Sequence, residues 1–286
     1  MSGLPAVPLQ KVAVLGAGNL GSALIGGILK AGIAGPNEIV ATVRTPEHAA
    51  LVASRFHIKV LAGNNLEAIE HAGVVILAVK PKVLPAVLEE IRWGLRDDRI
   101  LISLVAAFPI SLIEQIVGRH LSVFRAMPNI PVLVEEGATA IAHNSHVKAA
   151  QRDRVESIFR AVGAVLFLEE HHLHAVTALS GSGPAFVYTV IESMIAAGLS
   201  VGLPLEASRQ LAAQTVLGAA KLVRDSGMHP AVLKDQVTTP GGTTIAGLER
   251  LESSGLRAGF MGAVQAATER SREITQHIVE AEQAKE

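Results

Sequence analysis

The residues best suited to chemistry stand in two glycine-rich stretches near opposite ends of the 286-residue chain. The later one is Thr238–Thr244, reading TTPGGTT. Pro240, Gly241 and Gly242 cannot continue a helix, whereas Ile245, Leu248 and Leu251 recur at helical spacing. The stretch reads as a tight loop that opens a helix, with Gly242 or Thr243 as the N-cap. Such an opening presents free backbone N–H groups at the positive end of the helix dipole, a receptor for an anion such as phosphate or carboxylate. The hydroxyls of Thr243 and Thr244 can donate to a small polar ligand beside it. A capped helix following a plain turn is the alternative.

The earlier stretch is Gly16-Ala17-Gly18-Asn19-Leu20-Gly21. It follows the short apolar run Lys11–Leu15 and leads into Leu20, Ala23, Leu24, Gly27 and Ile28 at helical spacing. Strand, glycine turn and helix in that order are the context of a dinucleotide-binding fingerprint. Gly16 makes the turn, Gly18 lets backbone approach a pyrophosphate, and Gly21 lets the helix lie against the strand. A second strand, Glu38–Val43, ends without the Asp or Glu that holds an NAD ribose; Arg44 and Thr45 stand there instead. An arginine with hydroxyl neighbours suits a 2′-phosphate, so the expected cofactor is NADPH, with NADH as the alternative.

The elements that position these residues alternate strand and helix. Val74–Val79 and Ile100–Val105 are continuous apolar runs of the kind buried on both faces of a parallel sheet. In open α/β sheets ligands bind outside the carboxyl ends of the strands. The loops after Leu15, Val43, Val79, Val105 and Ala126 therefore form one rim, carrying Lys80-Pro81 and the MPNIP segment with Asn129. A shorter helix begins near Asn65. After about Glu170 the alternation stops and long helical patterns follow: Ser182–Leu199, Leu205–Arg224 and Leu256–Glu280. The expected division is residues 1–170, a Rossmann-like dinucleotide-binding domain, and residues 171–286, an all-helical domain for dimerisation and substrate binding. Helices such as Ala207–Val223 carry few charges, which predicts an obligate homodimer through residues after about Glu170, with further assembly into a ring left open.

Composition narrows the classes. Twenty-five basic residues balance 26 acidic ones, so no charge imbalance points to nucleic acid or an anionic membrane. No cysteine is present, which excludes disulfides and thiolate chemistry and fits a reducing compartment. The N-terminal MSGLPAVPLQ lacks a basic region and a long apolar run, so no signal peptide and a cytoplasmic location are expected. Ala175–Leu203 is very apolar, but Glu192 and the SGSGP run interrupt it, and a buried helix is expected rather than a membrane span. His171, His172 and His174 are not completed by a known ligand spacing, so no metal site is expected. Ser180–Pro184 reads either as a phosphate cradle or as a break between close-packed helices.

Together these residues resemble the pyrroline-5-carboxylate reductases. The resemblance rests on GAGNLG (Gly16–Gly21), AVKP (Ala78–Pro81), MPN (Met127–Asn129), ALSGSGPAF (Ala178–Phe186) and LKDQVTTPGGTT (Leu233–Thr244), and it spans nearly the whole chain. It implies an NAD(P)H-dependent oxidoreductase that reduces the C=N bond of the cyclic imine 1-pyrroline-5-carboxylate to give L-proline. By motif, Gly16–Gly21, Asn65, Ala78, Val79, Lys80, Pro81, Val105, Ala106 and Asn129 line the cofactor. Gly241, Gly242, Thr243 and Thr244 hold the substrate, the N–H groups on its carboxylate and Thr244 on its ring nitrogen. An alkyl hydroxyl is a poor acid, so Thr244 is expected to orient or relay a proton rather than generate it. One departure stands out: members commonly show Ala-Gly after the fifth strand, and this chain has Ala106-Ala107. Two other readings exist. A β-hydroxyacid dehydrogenase relative would need a catalytic lysine and asparagine where Val187 and Ile191 stand. A non-catalytic NADP-sensing protein would bind the cofactor without turnover.

Overall fold

A computed structural model describes residues 11–284, so MSGLPAVPLQ and the expectation attached to it lie outside the described residues. Eight strands form one sheet: β1 (Val12–Leu15), β2 (Ile39–Val43), β3 (Lys59–Ala62), β4 (Val74–Leu77), β5 (Ile100–Ser103), β6 (Ser122–Met127), β7 (Gly137–His143) and β8 (Gly163–Phe167), in the order β3-β2-β1-β4-β5-β6-β7-β8. All pairings are parallel except β6 with β7. The order reverses at β1, so the β1 and β4 ends make the switch point where an open sheet leaves a ligand crevice.

The helices of this part are α1 (Asn19–Lys30), α2 (Pro46–Phe56), α3 (Asn65–Ile69), α4 (Leu84–Ile91), α5 (Ile110–Val117), α6 (Ala149–Arg160) and α7 (Leu173–Val176). Alternate residues of β1 go to opposite cores, Val12 and Val14 to one and Ala13 and Leu15 to the other. That burial on both faces is why the strands are unbroken apolar runs. β3 was not anticipated. It is a four-residue edge strand without a buried residue, and so lacks the apolar signal that marks β4 and β5.

The remaining helices are α8 (Gly183–Ser200), α9 (Leu205–Ser226), α10 (Pro230–Gln236), α11 (Thr243–Ser253) and α12 (Leu256–Gln283). The described residues form two compact units, 11–181 with 267–284, and 182–266. The expected division at 170/171 differs from this one, because 171–181 and the end of α12 pack with the sheet. Ile278 and Val279 lie against the core that holds Ala13 and Leu15, and His174 Nδ1 meets the Ser271 hydroxyl at 3.0 Å. Burial pushes the His174 imidazole below its ordinary pKa, with Arg125 and Arg272 adding to the effect and Glu170 opposing it. Nearby, the buried Arg125 donates to Glu170 at 2.9 Å, and the same carboxylate oxygen accepts from the Ile110 N–H that opens α5.

Thr177–Gly181 forms a π-helical turn after α7, and Ser182 bends the chain before α8 begins at Gly183, so Ser180–Pro184 interrupts the regular helix. One expectation about the helical stretch is corrected. The apolar Ala175–Leu203 segment is not buried within the chain, since α8 has no buried residue. Among the described residues, 170–200 is the one helical stretch long and apolar enough to cross a membrane by length and composition. The second unit also exposes Leu211, Leu217, Leu222, Leu251 and Met261.

Candidate functional site

The fingerprint turn is built by backbone. The N–H groups of Gly16 and Ala17 both donate to the Thr42 carbonyl of β2, at 3.1 and 2.9 Å. Gly16 has φ +100, and a Cβ there would lie 2.7 Å from the Ala78 carbonyl oxygen and 3.1 Å from Val79 Cγ1. The residues after β1 and β4, far apart in sequence, thus meet at the switch point. A Cβ on Gly21 would collide with the Gly16 carbonyl oxygen, whereas one on Gly18 would meet nothing within 4 Å. Gly16 and Gly21 therefore serve the protein's own packing, and the space over Gly18 is left for something else. Gly18 is the N-cap of α1 and offers no side-chain cap, so the first-turn amides of Asn19, Leu20 and Gly21 are open to a ligand. This cradle fits a pyrophosphate.

Around it stand the other rim residues. Arg44 is exposed at the end of β2. Thr45 is committed to the fold through its oxygen, which caps α2 by accepting from the His48 N–H at 3.3 Å; its proton stays available to a phosphate. Lys80 is exposed and precedes the short 3₁₀ turn Pro81–Val83. Asn65 opens α3 and is held on both sides: its Nδ2 donates to Glu90 at 2.7 Å, and its Oδ1 accepts from the Thr42 hydroxyl at 2.8 Å. Glu90 of α4 is a rim residue that sequence reading missed. Asn129 also works as a brace, donating to the Ser180 carbonyl at 3.1 Å and accepting from the Ala138 N–H at 2.8 Å.

Val105 and Ala106 lead into Ala107, which has φ +61 in the left-handed region that favours glycine. This is where the resemblance anticipated glycine, and the alanine holds the same turn under strain. Ala107→Gly relieves about 1–2 kcal/mol of strain, loses about 0.8 kcal/mol for a buried methyl, and adds about 0.4–1 kcal/mol of unfolded-chain entropy. The terms nearly cancel, so stability should change by less than about 1 kcal/mol. Ala107→Val, β-branched and buried at the same φ, should lose about 2 kcal/mol or more. Urea titration of both variants checks the ordering, and equal tolerance of glycine and valine would contradict it.

In the second unit, Gly242 N donates to the Thr239 carbonyl at 3.1 Å, closing a turn with Pro240 and Gly241 at its centre. Gly241 has φ +68; proline followed by a positive-φ glycine is the signature of a type II turn. A Cβ on Gly242 would collide with the Thr239 hydroxyl. Gly242 is the N-cap of α11 and makes no side-chain cap, so the first-turn amides of Thr243 and its successors are open to a ligand. Thr238 bonds back to the Lys234 carbonyl at 2.7 Å. The half-buried Thr244 has a hydroxyl that makes no hydrogen bond among the described residues. A polar ligand beside the turn would find the N–H groups and this hydroxyl on one helical turn. Val187 and Ile191 are apolar positions of α8 and supply no proton-transfer group there. His171 and His172 stack on each other with ring centroids 3.8 Å apart, and His174 is bonded to Ser271.

Comparison with known proteins agrees across the chain. Residues 170–274 match the family described as pyrroline-5-carboxylate reductase dimerisation. Residues 11–107 match the family described as NADP oxidoreductase, coenzyme F420-dependent. The pyrroline-5-carboxylate reductase of Methanosarcina acetivorans is 41% identical over 265 residues, covering 93% of this chain and 98% of that protein. A pyrroline-5-carboxylate reductase structure from Coxiella burnetii superposes with TM-score 0.88 at 34% identity, covering 93% of this chain and 98% of that one. The Plasmodium falciparum pyrroline carboxylate reductase, solved with NADP bound, gives 0.83 at 33% identity over 93% of this chain and 98% of its own. The chain belongs to the pyrroline-5-carboxylate reductase family.

Proposed function

We propose that this chain reduces 1-pyrroline-5-carboxylate to L-proline with NADPH, using the β1–α1 turn for the cofactor and the Gly241–Thr244 turn for the imine. The observation that carries this is the opening of α11: an N-cap without a side chain, beside a threonine hydroxyl that has no partner among the described residues. The substrate carries a carboxylate and a ring nitrogen, which call for N–H donors and a hydroxyl within one turn. The Gly241 N–H and the Thr243 N–H in the first turn of α11 hold the carboxylate at the positive end of the helix dipole, while the Gly242 N–H is committed to the Thr239 carbonyl and shapes the turn rather than donating to the substrate. Thr244 orients the ring nitrogen and relays the proton it gains. Bound NADPH supplies the hydride for the imine carbon. The loop has no Asp, Glu, His or Lys, so the protein contributes positioning and electrostatics more than acid catalysis. Following the loss of NADPH absorbance with the imine tests the reading; binding of NADPH without turnover would favour the sensing alternative.

Cofactor choice rests on Arg44 and Thr45. Arg44→Ala should raise the KM for NADPH about tenfold, the scale of one charge-assisted hydrogen bond, and leave NADH nearly unchanged. Equal losses for both cofactors, or none, would remove Arg44 from the 2′-phosphate site.

The exposed apolar side chains of α8, α9 and α11 are taken to be covered by a second copy, giving a homodimer that can assemble further into a ring. A copy is a better cover than lipid because Glu192 sits exposed within α8. The balanced charge does not point to a nucleic-acid partner, and the lack of cysteine fits the cytoplasm. Sedimentation at assay concentration should find a dimer or larger assembly, and an active monomer would overturn this.

A further inference from the structure

The rim lacks an acidic residue at the end of β2, but a carboxylate reaches it from another element. Glu90 Oε2 accepts from Asn65 Nδ2 at 2.7 Å, while Oε1 accepts from the Asn65 backbone N–H at 3.1 Å. A carboxylate only accepts, so the amide has a single allowed orientation: its NH₂ faces Glu90 and its oxygen faces Thr42, whose hydroxyl donates at 2.8 Å. Thr42 is 3% exposed, and its carbonyl is the acceptor for the Gly16 and Ala17 N–H groups. A continuous chain of hydrogen bonds therefore runs from α4 through Asn65 and Thr42 to the pyrophosphate turn. After these bonds Asn65 keeps one N–H and one oxygen lone pair, a donor and acceptor pair that matches a ribose hydroxyl. It sits after the edge strand β3, beside β2, the side of the switch point where the adenosine ribose of a dinucleotide lies.

We propose that Glu90 is a positioning residue for the cofactor: its two-point grip on Asn65 aims the asparagine amide at the adenosine ribose. This rests on the assignment of the rim to NADPH made above. The grip needs two acceptors, and glutamine offers one acceptor and one donor at the same shape. Glu90→Gln frees the Asn65 side chain to turn its amide over while leaving an exposed position sterically unchanged.

The test measures KM for NADPH, NADH and the imine in Glu90→Gln, Asn65→Ala and the double variant, with Tm for each. Glu90→Gln should raise KM about three- to tenfold, the scale of one hydrogen bond, and equally for NADPH and NADH, because a ribose contact is common to both. The maximal kcat and the KM for the imine should stay within about twofold. Asn65→Ala should lose at least as much, and adding Glu90→Gln to it should cost nothing more. Multiplying losses in the double variant would show that Glu90 does not act through Asn65. A change in the NADPH-to-NADH ratio would show that it acts as a charge near the 2′-phosphate. A lower Tm with unchanged cofactor KM would reduce it to a support for α3. If Asn65→Ala is silent while Arg44→Ala acts as expected, the rim assignment survives and the positioning role of Glu90 falls. If both are silent, the rim assignment itself fails.

Discussion

A methyl group added at Gly18 is expected to weaken NADPH binding about a hundredfold, from one or two charge-assisted hydrogen bonds, with thermal stability almost unchanged. A methyl at Gly21 should damage both. The two glycines lie in the same turn, yet their surroundings differ. A Cβ on Gly18 meets no protein atom within 4 Å, and its φ of −75 suits alanine. The free protein should fold around it and lose only the space that the pyrophosphate needs. A Cβ on Gly21 runs into the carbonyl oxygen of Gly16, which is backbone. That backbone is pinned by two N–H bonds to Thr42, so α1 must move away from β1. Overpacking of this kind costs about 1–3 kcal/mol, and the displaced helix also withdraws its amides from the phosphate. Calorimetric titration with NADPH and a melting curve for each variant separate the cases. If Gly18→Ala binds NADPH normally, the open space above this turn is not the cofactor cradle.

Much of this arrangement is legible because it is local. A glycine turn between a strand and a helix needs only a few consecutive residues, so Gly16–Gly21 and Pro240–Gly242 declare themselves. The strands buried on both faces, such as Val74–Leu77, are unbroken apolar runs for the same reason. The features that escape are set by distant parts of the chain. β3 has no apolar pattern because it lies at the sheet edge. Glu90 looks like any solvated helix glutamate until folding sets it against Asn65, 25 positions away. The end of α12 joins the first unit through His174 and Ser271, which are 97 positions apart. α8 shows a third limit. Its apolar composition predicts a cover, but composition does not distinguish a cover from the same chain from one supplied by a copy.

The strained turn at Ala107 belongs between these cases. The sequence shows alanine where family resemblance anticipates glycine, and the backbone shows φ +61 at that residue. The fold is retained at a cost, since the turn after β5 follows from sheet geometry rather than from the residue occupying it.

The central claim is that the opening of α11 receives the imine, and Thr244→Val tests it most directly. Valine keeps the branched shape of threonine and removes the hydroxyl that is without a partner among the described residues. Loss of a hydrogen bond to a polar or charged ligand suggests about 1–3 kcal/mol, or roughly a ten- to hundredfold fall in kcat/KM for the imine. NADPH binding and Tm should be unchanged, because Thr244 takes no part in the fingerprint turn. Proline shares the ring and the carboxylate, so it should compete with the imine in the native protein and bind the variant less well. The measurement is kcat/KM for 1-pyrroline-5-carboxylate at saturating NADPH, with proline inhibition recorded alongside. A fall of tenfold or more with weakened proline inhibition is the predicted result. Native kcat/KM and native proline inhibition would contradict the assignment and leave Thr244 as the first turn of an ordinary helix.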